Sequence, residues 1–214
     1  MAFYIGFLSQ KGGVGKSTLS KMIAREFAVG GWEVKIADMD TSQGTSFFWN
    51  SRRLANDIQP LVRVEQFRRV EDALKASQPL DLMVFDGAPH ATKETLQIAK
   101  ACHLVVLPTG ISLDDLEPTV RLAHELKHEG VPAARIVFAL CRVGNSEVET
   151  SEARDYLSKA GYQVLDGEIP ERTGYRRASD TGRALTETTH PTLNRQADRL
   201  AQSIVNHFQK ATEK

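Results

Sequence analysis

Residues 9–18 read Ser-Gln-Lys-Gly-Gly-Val-Gly-Lys-Ser-Thr, a short run carrying two lysines among its glycines. When such a run follows an apolar strand and opens a helix, backbone N–H groups freed by Gly12, Gly13 and Gly15 can wrap an anionic phosphate. The helix adds the positive end of its dipole at the same place. Lys16 then faces the β- and γ-phosphates and the Ser17 hydroxyl faces Mg²⁺, with Val14 and Thr18 completing the loop. The chemistry to expect is phosphate binding and phosphoryl transfer. The ordinary pattern G-x-x-x-x-G-K-[ST] is not fully met, because Gln10 holds its first position, and Lys11 is an extra lysine. A second acidic feature follows the apolar residues Leu82-Met83-Val84-Phe85: Asp86, suited to hold Mg²⁺ through water from the tip of a buried strand. Asp38 and Asp40 end another apolar stretch, where they either serve that chemistry or cap a loop and the next helix.

These groups need a scaffold that brings strand tips together. Short apolar segments predict strands at Phe3–Ser9, Glu33–Ala37, Leu61–Val64, Asp81–Phe85, His103–Leu107, Arg135–Cys141 and Tyr162–Leu165. Helices are expected at Thr18–Val29 and roughly at 44–56, 67–77, 92–101, 114–129 and 147–160. Alternating strands and helices predict one α/β domain over 1–214, a mostly parallel twisted sheet with helices on both faces. Ligands of such sheets bind beyond the C-terminal strand ends, where the motifs lie.

The segment KGGVGKST resembles the deviant Walker A motif of the ParA/MinD group of P-loop ATPases, closest to small ParA-type partition ATPases. Gln10 fits the ParA branch. The resemblance implies that Lys11 reaches across a dimer interface to the partner's nucleotide. Asp38-Met39-Asp40-Thr41-Ser42-Gln43-Gly44 resembles the family's D-x-D-P-Q-G segment, with Thr41-Ser42 replacing the proline. Asp40 thereby matches the residue that positions the attacking water, and Asp38 is a candidate for the magnesium shell. Leu82–Asp86 with Gly87-Ala88-Pro89 resembles a Walker B strand and its continuation. Gly87 is a candidate N–H donor to the γ-phosphate. His103–Leu116 resembles the strand and loop that place an aspartate, here Asp114, near the dimer face; a helix N-terminal acid explains Asp114 equally. Glu168-Ile169-Pro170-Glu171-Arg172 resembles the I-P-x-R loop bordering the adenine pocket, which implicates Pro170 and Arg172.

Composition narrows the setting. Lys+Arg and Asp+Glu are both 27, so any nucleic-acid contact must come from a local patch. Arg172, Arg176, Arg177 and Arg183 are candidate DNA contacts, and Arg52, Arg53, Arg63, Arg68 and Arg69 form a looser second group. Cys102 and Cys141 read as buried thiols of a reducing cytosol rather than ligands of an iron–sulfur cluster. The His124/His128 pair lacks the context of a metal site. No secretory leader is evident and no apolar run is long enough to span a membrane. The last helix, starting at Pro191, carries Leu193, Ala197, Leu200, Ile204 and Phe208 as a narrow stripe expected to pack on the body rather than on lipid. The short stretch before the first strand leaves no room for an upstream helix-turn-helix domain.

The resemblance thus implies a cytoplasmic, nucleoid-associated ATPase with ATP and Mg²⁺ as ligands. It would be a homodimer in the ATP state, binding nonspecific DNA and answering to a ParB-like or centromere-binding adaptor, with no membrane attachment. The alternatives are a MinD-like membrane-associated regulator and a ParA-like ATPase positioning a protein cargo.

Overall fold

The computed structural model describes residues 2–89 and 93–213; His90 and the first residue of the helix expected at 92–101 lie outside them. In chain order the elements are β1 (Phe3–Phe7), α1 (Lys16–Val29), β2 (Val34–Asp38), α2 (Thr45–Ala55), β3 (Arg63–Gln66), α3 (Val70–Ala76), β4 (Leu82–Asp86) and α4 (Lys93–Ala101). They continue with β5 (Leu104–Thr109), α5 (Leu113–His128), β6 (Ile136–Val143), α6 (Glu147–Lys159), β7 (Gln163–Pro170), α7 (Thr173–Asp180) and α8 (Pro191–Thr212), with 3₁₀ turns at Ala133–Arg135 and Leu185–Glu187.

The strands form a seven-stranded sheet in the order β3-β2-β4-β1-β5-β6-β7, and every pairing is parallel. Side-chain alternation along the strands divides the apolar interior in two. Ile5, Phe7, Leu82, Val84, Leu104 and Val106 face α1, α8, and the Trp49 and Tyr175 side chains of α2 and α7. Met83, Phe85, Val105, Leu107 and Phe138 face the apolar residues of α3, α4, α5 and α6. Both faces are covered, so the central strands read as unbroken apolar runs. Crossover topology leaves the C-terminal tips of β1, β2 and β4 adjacent, with Phe7, Asp38 and Asp86 at the ends of paired strands.

Two elements depart from expectation. The last strand runs on to Pro170, well past the Leu165 at which the sequence suggests a stop. Asp166-Gly167-Glu168 reads as a turn, but Gly167 (φ +82°) carries the strand through an irregular register against β6. A Cβ at Gly167 would stand 2.8 Å from the Leu200 backbone nitrogen, so this glycine also lets α8 approach. Second, Arg176 and Arg177 lie on a helix, α7, too short and too polar to declare a period. The stripe of α8 behaves as expected: Ala197, Leu200, Ile204 and Phe208 are all buried against the body.

Candidate nucleotide site

The loop between β1 and α1 is built for an anion. Gly13 (φ +75°) and Gly15 (φ +115°) adopt left-handed backbone that L side chains rarely tolerate. A Cβ at Gly15 would also lie 3.1 Å from the Cys141 Sγ packed behind it. Gly15 is the N-cap of α1, no side chain caps that end, and the first turn holds no acid. The orphan N–H groups and the positive helix end are therefore left for a ligand. In α5, by contrast, Asp114 and Asp115 already occupy the first turn.

Lys16 is buried and its Nζ donates to the Lys11 carbonyl at 3.0 Å, so the lysine folds over its own loop. Burial pushes its pKa down, against the pull of Asp86 and Asp40. Lys11 behaves differently. Its ammonium, 40% exposed, pairs with Asp115 Oδ1 at 2.8 Å. The Lys11 partner is thus the neighbour of Asp114, the aspartate that the sequence resemblance names and that lies in the first turn of α5. Asp114 is exposed, whereas Asp115 faces back over Gly110, where a Cβ would stand within van der Waals overlap of its carboxylate.

The β2 tip divides labour between its aspartates. Asp38 is fully buried and accepts N–H bonds from Asp40 (3.1 Å), Ser46 (3.1 Å) and Phe47 (3.0 Å), so it caps α2 and folds the following loop. Its burial raises its pKa despite those bonds. Asp40 lies at the mouth of the site. Burial opposes its ionisation, but the Ser42 hydroxyl, the Gln43 and Ser42 N–H groups and Lys16 together hold its pKa below the usual range. All three of those hydrogen bonds go to Oδ1. Among the described residues Oδ2 makes none.

Asp86 ends β4 in full burial. Its Oδ2 accepts the Ser46 hydroxyl at 2.7 Å, and among the described residues its Oδ1 has no hydrogen-bond partner. Desolvation lifts its pKa to about 6, against the Ser46 and Ser17 hydroxyls, with Asp38 adding to the rise and Lys21 opposing it. An orphaned buried carboxylate oxygen near a helix-opening serine suits an Mg²⁺ ion held through water, since Mg²⁺ keeps most of its hydration shell. Ser17 and Asp86 would hold that ion, with Asp38 behind them. Gly87, a candidate phosphate donor by sequence, is corrected: its N–H is committed to the Phe7 carbonyl at 3.1 Å. A Cβ there would stand 2.7 Å from Leu8 Cδ2, so its smallness serves packing between β4 and the P-loop.

Gly12, Gly13, Gly15, Lys16, Ser17, Thr18, Asp40, Gln43, Thr45, Gly87 and Pro89 enclose a cavity of about 180 Å³. Val14 is buried beneath the loop. Pro170 and Arg172 line a separate cavity of about 440 Å³ beside Asn145, whose Oδ1 accepts from Arg172 at 2.6 Å. Sequence reasoning overlooked Asn145, which follows a strand assumed to end at Cys141. It also overlooked Ser46, Asp115 and Lys21. Lys21 is almost fully buried with its ammonium 5.9 Å from the Trp49 ring centroid, and burial lowers its pKa to about 8. Only its position, one helical turn beyond Lys16 and Ser17, could have flagged it. Both cysteines are buried, and desolvation pushes the Cys141 thiol up to about 12.

The arginines separate sharply. Arg176 and Arg177 are exposed on α7, Arg172 and Arg183 flank it, and Glu171 lies within 3.6 Å of Arg176. Arg53, grouped by sequence with surface arginines, is instead wholly buried. It donates to both oxygens of Glu187 (2.7 and 3.0 Å) and to the carbonyls of Pro60 and Gly182, each at 3.1 Å. Glu187 also takes Arg25 at 3.2 Å, tying α1, α2 and the 182–187 segment together. Trp49 Nε1 and Asn56 Nδ2 add bonds from α2 to the Arg183 and Thr181 carbonyls, both at 3.1 Å.

Comparison with known proteins agrees with this geometry. Seen over 100% of both chains, the fold superposes on the septum site-determining protein MinD of Pyrococcus horikoshii OT3, complexed with Mg-ADP, with a TM-score of 0.77 at 18% identity. The Cyanothece McdA(D38A)–ATP complex gives 0.72 at 16% identity, covering 95% of this chain and 96% of that one. A protein described as a plasmid partition protein of Borrelia burgdorferi B31, bound to AMPPNP, gives 0.69 at 18% identity over 98% and 99% of the two chains. A search of curated proteins by sequence finds no match. The model of the CobQ/CobB/MinD/ParA nucleotide binding domain matches residues 5–185. That match spans most of the chain, and the chain belongs to the CobQ/CobB/MinD/ParA nucleotide-binding family.

Proposed function

We propose that this chain is a partition ATPase that dimerises around Mg·ATP, binds DNA without sequence preference in that state, and hydrolyses ATP slowly until a ParB-like or centromere-binding adaptor stimulates it. The observation that carries the reading is the unequal pair of lysines. Lys16 is buried over its own loop, while the Lys11 side chain is partly exposed and held by a single ion pair to Asp115. An exposed pair of that kind is worth about 0–1 kcal/mol, so it can be exchanged for a phosphate of a second subunit's nucleotide.

In this reading Lys16 and Lys11 neutralise charge developing on the transferred phosphoryl group. Asp40, ionised and with Oδ2 unengaged within the described chain, orients the attacking water. Ser17 and Asp86 would hold an Mg²⁺ ion, which would supply positive charge against that developing on the phosphates. Pro170 and Arg172 would border the base, with Asn145 beside them. Arg172, Arg176, Arg177 and Arg183 are the candidate DNA contacts, and activity on DNA would place the protein on the nucleoid. The buried stripe of α8 offers lipid no apolar face, which favours this reading over a MinD-like membrane regulator. Among the described residues no helix is long and apolar enough to cross a membrane.

The test is equilibrium binding to random-sequence duplex DNA with ATP–Mg²⁺, with ADP, and without nucleotide, over a salt series. ATP-selective binding whose log affinity falls linearly with log salt is the expected result. Absence of binding in every state would overturn the DNA reading and leave a protein cargo as the next candidate.

A further inference from the structure

A third cavity, of about 740 Å³, lies at the end of the sheet opposite the phosphate loop, between the 3₁₀ turn that leads into β6, the first residues of β7 and the last turns of α6 and α8. Arg135, Arg154, His207 and Lys210 line it together with Tyr162 and Gln163, and no lining residue is acidic. Arg154 is already engaged, donating to Glu168 at 2.8 Å and to the Leu165 and Gly167 carbonyls. Arg135 and Lys210 are not: among the described residues neither side chain makes an ion pair or a hydrogen bond. His207 donates to the Ser203 carbonyl through Nδ1 at 2.8 Å, so its Nε2 can donate to an anion only when the ring is protonated.

Lys210 occupies the last turn of α8, where the helix dipole by itself favours a cation. That accounts for Lys210 but not for Arg135, which ends a 3₁₀ turn leading into a strand. Unpaired cations sharing one concave space repel each other, and low-dielectric walls focus their field onto anions. A guanidinium fork and an ammonium lining one cleft without a carboxylate match the oxygens of a phosphate group.

We propose that this cleft is a second phosphate-binding site, independent of the nucleotide bound at the P-loop and separate from the α7 arginines. Its ligand is a phosphate group, supplied either by a nucleic-acid backbone or by a small phosphorylated compound. The cleft has no glycine cradle and no water-positioning acid, so it binds without hydrolysing. The proposal stands apart from the DNA reading above: a failure of ATP-selective DNA binding would not touch it.

The experiment uses full-length Lys16→Ala protein, in which the P-loop is disabled, and a second protein carrying Arg135→Ala and Lys210→Ala in addition. Inorganic pyrophosphate is titrated calorimetrically and a random-sequence 24-base-pair duplex by anisotropy, both without nucleotide. The expected result is a loss of at least about tenfold in affinity on adding the two cleft substitutions. For the duplex the salt slope should also fall by about 2. Arg135→Lys with Lys210→Arg should recover most of the binding, which a merely structural role would not predict. A loss for both probes assigns the site to phosphate as such, and a loss for the duplex alone assigns it to a nucleic-acid backbone. Equal affinities with and without the cleft substitutions, or no binding of either probe to the parent, would overturn the proposal.

Discussion

The phosphate end and the buttress behind α2 are both polar, and they are stabilised in opposite ways. At the phosphate end charges are left incomplete: among the described residues no side chain caps α1 and Asp86 Oδ1 has no partner, while Lys11 is held by a partly exposed pair. In the buttress, Arg53 spends its donors on Glu187 and two carbonyls, and Arg25 completes the acid. Desolvation works against the Glu187 carboxylate, yet the Arg53 hydrogen bonds, the Ala184 N–H and the charges of Arg53 and Arg25 hold its pKa below the usual range. Incomplete pairing marks where a ligand belongs. Completed pairing marks what must hold still while the ligand comes and goes.

Substitutions should break that contrast in different measurements. Lys16→Ala should reduce ATP hydrolysis by at least about a hundredfold while leaving the folded state intact, because the lost ammonium acts on charge in the transition state. Normal turnover would remove the P-loop assignment. Arg53→Ala should do the reverse, costing about 3–5 kcal/mol in urea unfolding by leaving Glu187 buried with a partner missing. A cost below 1 kcal/mol would show that the buttress is dispensable.

Asp86→Asn sharpens the comparison, since it should stabilise the ligand-free protein while abolishing Mg²⁺-dependent nucleotide binding. The folded Asp86 pKa, about 6, lies above its ordinary 3.8. The native state therefore binds more protons across that interval, and stability of the ligand-free protein falls as pH rises from about 4 to 6, by about 3 kcal/mol from this group. Glu187 has the opposite sign: its contribution is present above the ordinary glutamate pKa and is lost as pH falls through its lower folded value. Thermal melts of wild type and Asp86→Asn across pH 4–7 separate the two, and identical pH profiles would refute the assignment to Asp86. The smallest effect is Asp115→Asn, which should change stability by less than about 1 kcal/mol because the Lys11 pair is exposed. It should nevertheless lower the ATP concentration needed for dimerisation, measured by sedimentation. An unchanged threshold would mean that Asp115 does not restrain Lys11.

The same contrast explains what was legible in the sequence. Loops that await a ligand announce themselves locally: Gly12 to Ser17, the Asp38/Asp40 pair and the apolar run into Asp86 each sit within a few residues. The parallel sheet was legible for a similar reason, since its buried strands read as short apolar runs. The buttress joins residues 25, 53 and 187, and no local pattern distinguishes Arg53 from its exposed neighbours. Lys21 and Asp115 were hidden likewise, because their partners lie far along the chain. Asp115 follows Asp114 in the first turn of α5, and nothing local shows which of the two adjacent acids reaches Lys11. The extent of β7 escaped because Gly167 signals a turn unless the approach of α8 is known.

The account rests on nucleotide-driven association through Lys11. Light scattering of the Asp40→Ala protein, in which the proposed role of Asp40 predicts that hydrolysis is blocked, tests it directly with and without ATP–Mg²⁺, alongside the same protein carrying Lys11→Ala. The predicted result is a doubling of mass with ATP–Mg²⁺ that disappears on loss of Lys11 while ATP still binds. A mass that stays unchanged when ATP is bound, or a dimer that forms equally well without Lys11, would contradict the account.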